Sequence, residues 1–102
     1  MQTQTYAGKL AFTVTWQAKP GEEAALTEIV SQFLPQARRE PGAVLVTVQR
    51  AANDPSQFLF YEVFDDDAAF AAHQETEHFR MLILEQALPR LAKRERIQYT
   101  PI

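Results

Sequence analysis

The 102-residue chain has no cysteine. That excludes disulfides, thiolate metal sites and a cysteine nucleophile, and it fits a reducing, cytoplasmic setting. Glycine is scarce, at 3 residues, and none of them builds a phosphate-cradling loop; G-x-S-x-G and zinc signatures are missing as well. No apolar run approaches the roughly 20 residues of a membrane span. The opening MQTQTYAGK lacks the basic and apolar regions of a signal peptide. Positive charge is not in excess: the net charge is −3, which argues against nucleic acid or a membrane surface as a partner.

What is present has the size of one domain: a polar tail over residues 1–9 and a single folded unit over 10–102. Residues 9–17 alternate. Leu10, Phe12, Val14 and Trp16 share one face, Thr13, Thr15 and Gln17 the other, so a strand is predicted. Lys19-Pro20-Gly21 breaks it. Glu22 and Glu23 then open a helix with the stripe Leu26, Ile29, Val30, Phe33 and Ala37. Pro35 predicts a kink or an early end there, and Glu40-Pro41-Gly42 closes the segment. Residues 43–50 and 58–64 are strands joined by a turn at Asn53-Asp54-Pro55-Ser56. Asp65, Asp66 and Asp67 start a short helix over 68–74. Thr76 caps a second helical piece over 77–87, which Pro89 ends, and residues 96–100 form the last strand. Arg90, Lys93, Arg94 and Arg96 read as a solvated helix end, with an anion site as the minority reading.

This order predicts an α+β, ferredoxin-like split βαβ plait (βαββαβ): an antiparallel four-stranded sheet with both helices on one face. The strands over 43–50 and 58–64 are apolar on both faces, while the helices cover one. A second copy of the sheet is expected over the other face, giving a homodimer.

The polar groups suited to chemistry lie in or after the third strand. His73 follows Phe70 at i+3 on an inward face among alanines. There it is either a general base near neutral pH or a core histidine bonded to backbone. Glu62, between Phe60 and Phe64 on its strand face, is costly to bury unpaired. It orients His73, holds a substrate hydroxyl, or pairs with an arginine such as Arg50. His78 lies about 140° from His73 on a continuous helix, so a metal pair is disfavoured unless Thr76 interrupts that helix. Trp16, Tyr61, Phe60 and Phe64 are candidates for an aromatic pocket wall, with core packing as the alternative.

Lys19-Pro20-Gly21-Glu22, Glu40-Pro41-Gly42, Asp54-Pro55, Tyr61-Glu62-Val63-Phe64, Phe70-x-x-His73 and Thr76-x-His78-Phe79 occur in an order and spacing that resembles the antibiotic biosynthesis monooxygenase (ABM) superfamily. The resemblance spans residues 10–102 and is nearest to the small quinol monooxygenases and to the isomerase of phosphorylated autoinducer-2. It implies a dimeric α+β barrel and oxygenation of a quinol or polyphenol by dioxygen without flavin, haem or metal. It implies His73 and Glu62 as catalytic residues, and Trp16, Tyr61, Phe64 and His78 as substrate-binding. Haem-degrading relatives carry tryptophan where His73 stands and a haem-ligating histidine where Ile83 stands, so the resemblance does not extend to haem chemistry. Many relatives carry arginine at the position of Leu45 and tryptophan at that of Phe64. Two other readings use the same residues: an isomerase of a small phosphorylated dicarbonyl compound, with Arg90, Lys93 or Arg94 on the phosphate, and a non-catalytic ligand-binding or stress-response dimer.

Overall fold

The computed structural model describes residues 6–102. Of the expected tail, residues 1–5 lie outside the described residues, and Tyr6 to Lys9 form a turn closed by Lys9 N–H donating to the Tyr6 carbonyl at 2.9 Å. The elements are β1 (Leu10–Ala18), α1 (Glu23–Arg38), β2 (Ala43–Ala51), β3 (Asp54–Phe64), α2 (Asp67–Gln74), a π-helix (Phe79–Ala87), a 3₁₀ turn (Leu88–Arg90) and β4 (Leu91–Tyr99). The sheet order is β2-β3-β1-β4 with every pair antiparallel. This is the expected plait.

Residues opposite one another in an antiparallel pair share a face. Phe12, Val14 and Trp16 of β1 therefore stand beside Glu62, Phe60 and Phe58 of β3, and beside Gln98, Arg96 and Arg94 of β4. The helices cover this face. Leu26, Ile29, Val30, Phe33 and Ala37 of α1 meet Leu82, Ile83 and Ala87 of the π-helix and the aromatic residues of β1 and β3 in one core. Each large apolar side chain buried there contributes about 1.5–3 kcal/mol. The opposite face leaves Leu59, Ile97 and Tyr99 at 39–48% exposure.

Four expectations change. Of the kink or early end expected at Pro35, the early end does not occur: α1 continues to Arg38. Pro35 lies on its exposed side, where the freed Ser31 carbonyl meets water, while Phe33 and Ala37 stay buried and hold the last turn. Second, β3 begins at Asp54, leaving Ala52 and Asn53 as the turn between β2 and β3. Asp54 Oδ1 accepts from Ser56 N–H and Oγ–H, and Pro55 is tolerated beside a register shift at the sheet end. Third, Thr76 does cap the second helical piece, accepting from Phe79 N–H at 3.2 Å, but most of that piece is a π-helix. Leu88 N–H donates to the Ile83 carbonyl, five residues back. Fourth, Lys93, Arg94 and Arg96 are not a helix end. They lie on β4, which starts five residues earlier than expected.

Gly42 fixes how closely α2 approaches the start of β2. A methyl group at Gly42 would fall 2.2 Å from Ala69 Cβ. The Gly42→Ala variant should lose about 1–3 kcal/mol by overpacking, and Gly42→Ala in an Ala69→Gly background should recover most of it. Urea denaturation of the three proteins measures this. A single variant as stable as the parent would mean that the contact yields freely.

Candidate active site

The site assembles at the junction of α1, α2 and the π-helix. Glu40 follows α1 by two residues, in a turn closed by Glu40 N–H to the Ala37 carbonyl and Ala43 N–H to the Glu40 carbonyl. Asp66 accepts from Ala69 N–H at 2.8 Å, caps α2 and sets its rotation. That rotation buries His73 at 2% exposure, with its ring against Phe33, Phe64, Phe70 and Phe79 at centroid distances of 5.8, 4.8, 6.2 and 5.2 Å. Thr76 breaks α2 away from the next helical turn, its Oγ–H donating to the His73 carbonyl at 2.8 Å.

Because of that break, both imidazoles converge on one carboxylate. His73 Nδ1 lies 2.9 and 3.0 Å from the two Glu40 oxygens, and His78 Nε2 lies 2.6 Å from Glu40 Oε2. An ionised carboxylate only accepts, so both rings donate to it. His73 is thereby held as the Nδ1–H tautomer, and its Nε2 lone pair is left for other chemistry. Burial lowers the His73 pKa below the ordinary histidine range, Glu40 works in the opposite direction, and His78 adds a smaller lowering. The ring is therefore neutral at neutral pH and able to take a proton.

Glu40, not Glu62, bonds His73 Nδ1, which overturns one of the roles expected for Glu62, that of orienting His73. The partner expected for Glu62 also differs. The Arg50 guanidinium reaches Thr27 Oγ1 and lies 5.4 Å over the Phe58 ring. Glu62, at 6% exposure, instead lines a cavity with Val14, Trp16, Phe60, Phe70, His73, Phe79, Arg94 and Arg96. Desolvation, and then the charge of Glu40, pushes its pKa up to about 7 against the smaller pull of Arg94 and Arg96. The centre of a water molecule can move through about 30 Å³ of the cavity, which is room for roughly two waters.

The other expected residues divide. Trp16 lines the cavity. Phe64 packs on the His73 ring, and His78 reaches Glu40 rather than the cavity. Tyr61 does not join them; it pairs with Thr13 and Thr47 on the opposite face of the sheet. The alternation of β3 already separated it from Phe60 and Glu62. Among the described residues no group of three or more histidine or carboxylate side chains is disposed to hold a metal ion. No helix among them is long and apolar enough to cross a membrane.

Glu62 and His73 give stability opposite pH dependences. Between about pH 4.5 and 7 the native state holds the Glu62 proton that the unfolded chain has released, so stability falls as pH rises, by about 3 kcal/mol at most. Below the ordinary histidine pKa the unfolded chain takes up a proton that native His73 resists, so stability falls as pH falls. The Glu62→Gln variant removes only the first effect. Its stability relative to the parent should rise by up to about 3 kcal/mol from pH 4 to pH 8 in urea titrations. A difference that stays constant across that range would show that Glu62 ionises like a surface carboxylate.

The sequence profile of the antibiotic biosynthesis monooxygenase family matches residues 10–83. No curated protein matches the sequence. Among solved structures, the chain is similar to a protein from Pseudomonas aeruginosa, with 25% identity, 100% of this chain and 99% of that chain covered, and a TM-score of 0.87. It is equally similar to a protein from Nitrosomonas europaea named a candidate antibiotic biosynthesis monooxygenase, with 25% identity, 98% and 94% covered, and a TM-score of 0.86. A Mycobacterium tuberculosis protein at 15% identity, with 92% and 95% covered, shares the fold with a TM-score of 0.84. The profile spans well over half of the chain and the plait is common to all of these structures: the chain belongs to the antibiotic biosynthesis monooxygenase family.

Proposed function

We propose that this protein is a cofactor-independent monooxygenase that oxidises a small quinol or polyphenol with dioxygen. The observation that carries the reading is a neutral His73, fixed through Nδ1 by Glu40, at the wall of a largely aromatic cavity. His73 Nε2 takes a hydroxyl proton from the substrate, and Glu40 offsets the positive charge that develops on the ring. The resulting phenolate is electron-rich enough to reduce dioxygen itself. One oxygen atom enters the ring and the other leaves as water with two substrate hydrogens. A quinol becomes a hydroxyquinone, and the substrate supplies all four electrons. Glu62, still protonated up to about pH 7, donates a hydrogen bond to a substrate or dioxygen-derived oxygen. Phe33, Phe60, Phe70 and Phe79 exclude water from the reactive phenolate.

The reading includes a second copy of the chain over the outer face of the sheet. In register, Ile97 stands beside Thr13 and Tyr61, and Tyr99 beside Ala11, Val63 and Leu45. Ala11 and Val63 are buried there, and the exposed apolar side chains of this face are Leu59, Ile97 and Tyr99, a group that a lone subunit seldom leaves to water.

Two measurements check these statements. An oxygen electrode should register uptake with a hydroquinone, reduced 100-fold or more in His73→Gln at unchanged circular dichroism. Undiminished uptake in that variant would make His73 structural. Sedimentation should give a dimer for the parent and a monomer for Ile97→Glu; a parent that sediments as a monomer at micromolar concentration contradicts the sheet-to-sheet assembly.

A further inference from the structure

Two residues that line the cavity carry donors that this chemistry leaves unused. Trp16 is 2% exposed, and its Nε1–H is buried without an acceptor among the described residues. A buried N–H left unpaired costs about 1–3 kcal/mol. Arg94 is the cross-strand neighbour of Trp16 and borders the same cavity from the uncovered edge strand β4. The other cations nearby are occupied: Arg90 pairs with Glu22 at 3.0 Å, and Arg96 lies 5.3 and 5.1 Å over the rings of Phe12 and Phe70. Arg94 has no carboxylate at ion-pair distance among the described residues, and Glu62 acts on it only through space. Below pH 7 Glu62 is mostly neutral, so it compensates the Arg94 charge only in part.

We propose that Trp16 Nε1–H and the Arg94 guanidinium together hold a carboxylate carried on the aromatic ring of the substrate. An indole N–H and a planar guanidinium fork on neighbouring strands suit an acceptor with two oxygens in one plane. The ring then lies among Phe60, Phe70 and Phe79 with its hydroxyl toward His73. The resting cavity is smaller than an aromatic ring, so the ring enters as the exposed Arg96 side chain moves aside and Arg94 turns onto the acid group. This subsite rests on the quinol reading for the ring and its hydroxyl, and adds the acid group.

The test is equilibrium binding under nitrogen, which reads the subsite whether or not oxygen is ever consumed. Trp16 is the only tryptophan, so its fluorescence reports the site directly. The purified chain is titrated with 4-hydroxybenzoate, with its methyl ester and with phenyl phosphate, and calorimetry provides a second readout. The acid should quench Trp16 saturably and bind about fivefold or more tighter than the ester, a ratio discounted for the exposure of Arg94. In Arg94→Gln the ratio should fall to about one with the fold intact. In Trp16→Phe, followed by calorimetry, the acid should weaken severalfold. Three results would overturn the proposal: equal affinity for acid and ester, tighter binding of phenyl phosphate than of the acid, or no binding of the acid at millimolar concentration. An acid preference that survives in Arg94→Gln would overturn it too. Oxygen uptake, measured separately, tests the monooxygenase reading by itself.

Discussion

The structure depends on one carboxylate shared by two imidazoles. Glu40 sits where α1 ends, and the rings it holds come from 33 and 38 residues further along the chain. Its side chain is 11% exposed, and those of His73 and His78 are 2% and 14% exposed. A charge this far from water is tolerated only when its oxygens are occupied. Removing one partner of such a group costs about 3–5 kcal/mol, because the remaining charge stays buried and unpaired. The bonds therefore act as a clamp. The end of α1, the last turn of α2 and the first turn before the π-helix have one mutual arrangement that satisfies Glu40. Gly42, two residues on, permits that arrangement by letting Ala69 come close, and the Gly42 carbonyl accepts from Asp65 N–H at 2.9 Å.

The clamp also divides labour between two ionisable groups on the cavity wall. Burial acts on both His73 and Glu62, and in each it favours the neutral form. For the imidazole the neutral form is a base; for the carboxyl it is an acid. Glu40 reinforces the separation. Its charge holds Nδ1–H toward itself and opposes a second negative charge at Glu62. A neutral base and a neutral acid on one wall are suited to moving a proton without leaving a net charge in an aromatic chamber.

Most of the plait was legible because its elements are periodic. Phe12, Val14 and Trp16 fall two apart and Leu26, Ile29, Val30 and Phe33 fall at helical spacing, and all of them are buried where the pattern puts them. The placement of His73 inward followed from Phe70 three residues earlier. Glu40 was not legible. Beside Pro41 and Gly42 it reads as punctuation after a helix, and its role exists only once two distant histidines arrive. The one local hint was Thr76, a cap residue between the histidines that cancels their angular separation along a continuous helix. The first half of β4, before Arg96, escaped for another reason. Arg94, Glu95 and Arg96 alternate faces with charge on both, so no hydrophobic period marks the strand.

That edge strand is also where the site differs from a closed core. β4 has a neighbour on one side only, β1, and no buried residue of its own. Its inward side chains, Arg94 and Arg96, therefore border the cavity without sealing it. Had apolar residues stood there, the core under Trp16 would close over. Arg96 instead lays its guanidinium over the rings of Phe12 and Phe70 from an exposed position on the edge strand. The wall it makes can part with little loss of burial. The cavity thus has one rigid side, locked by Glu40 through His73, and one side that yields. A small chamber that must both exclude water and admit a ring needs that asymmetry.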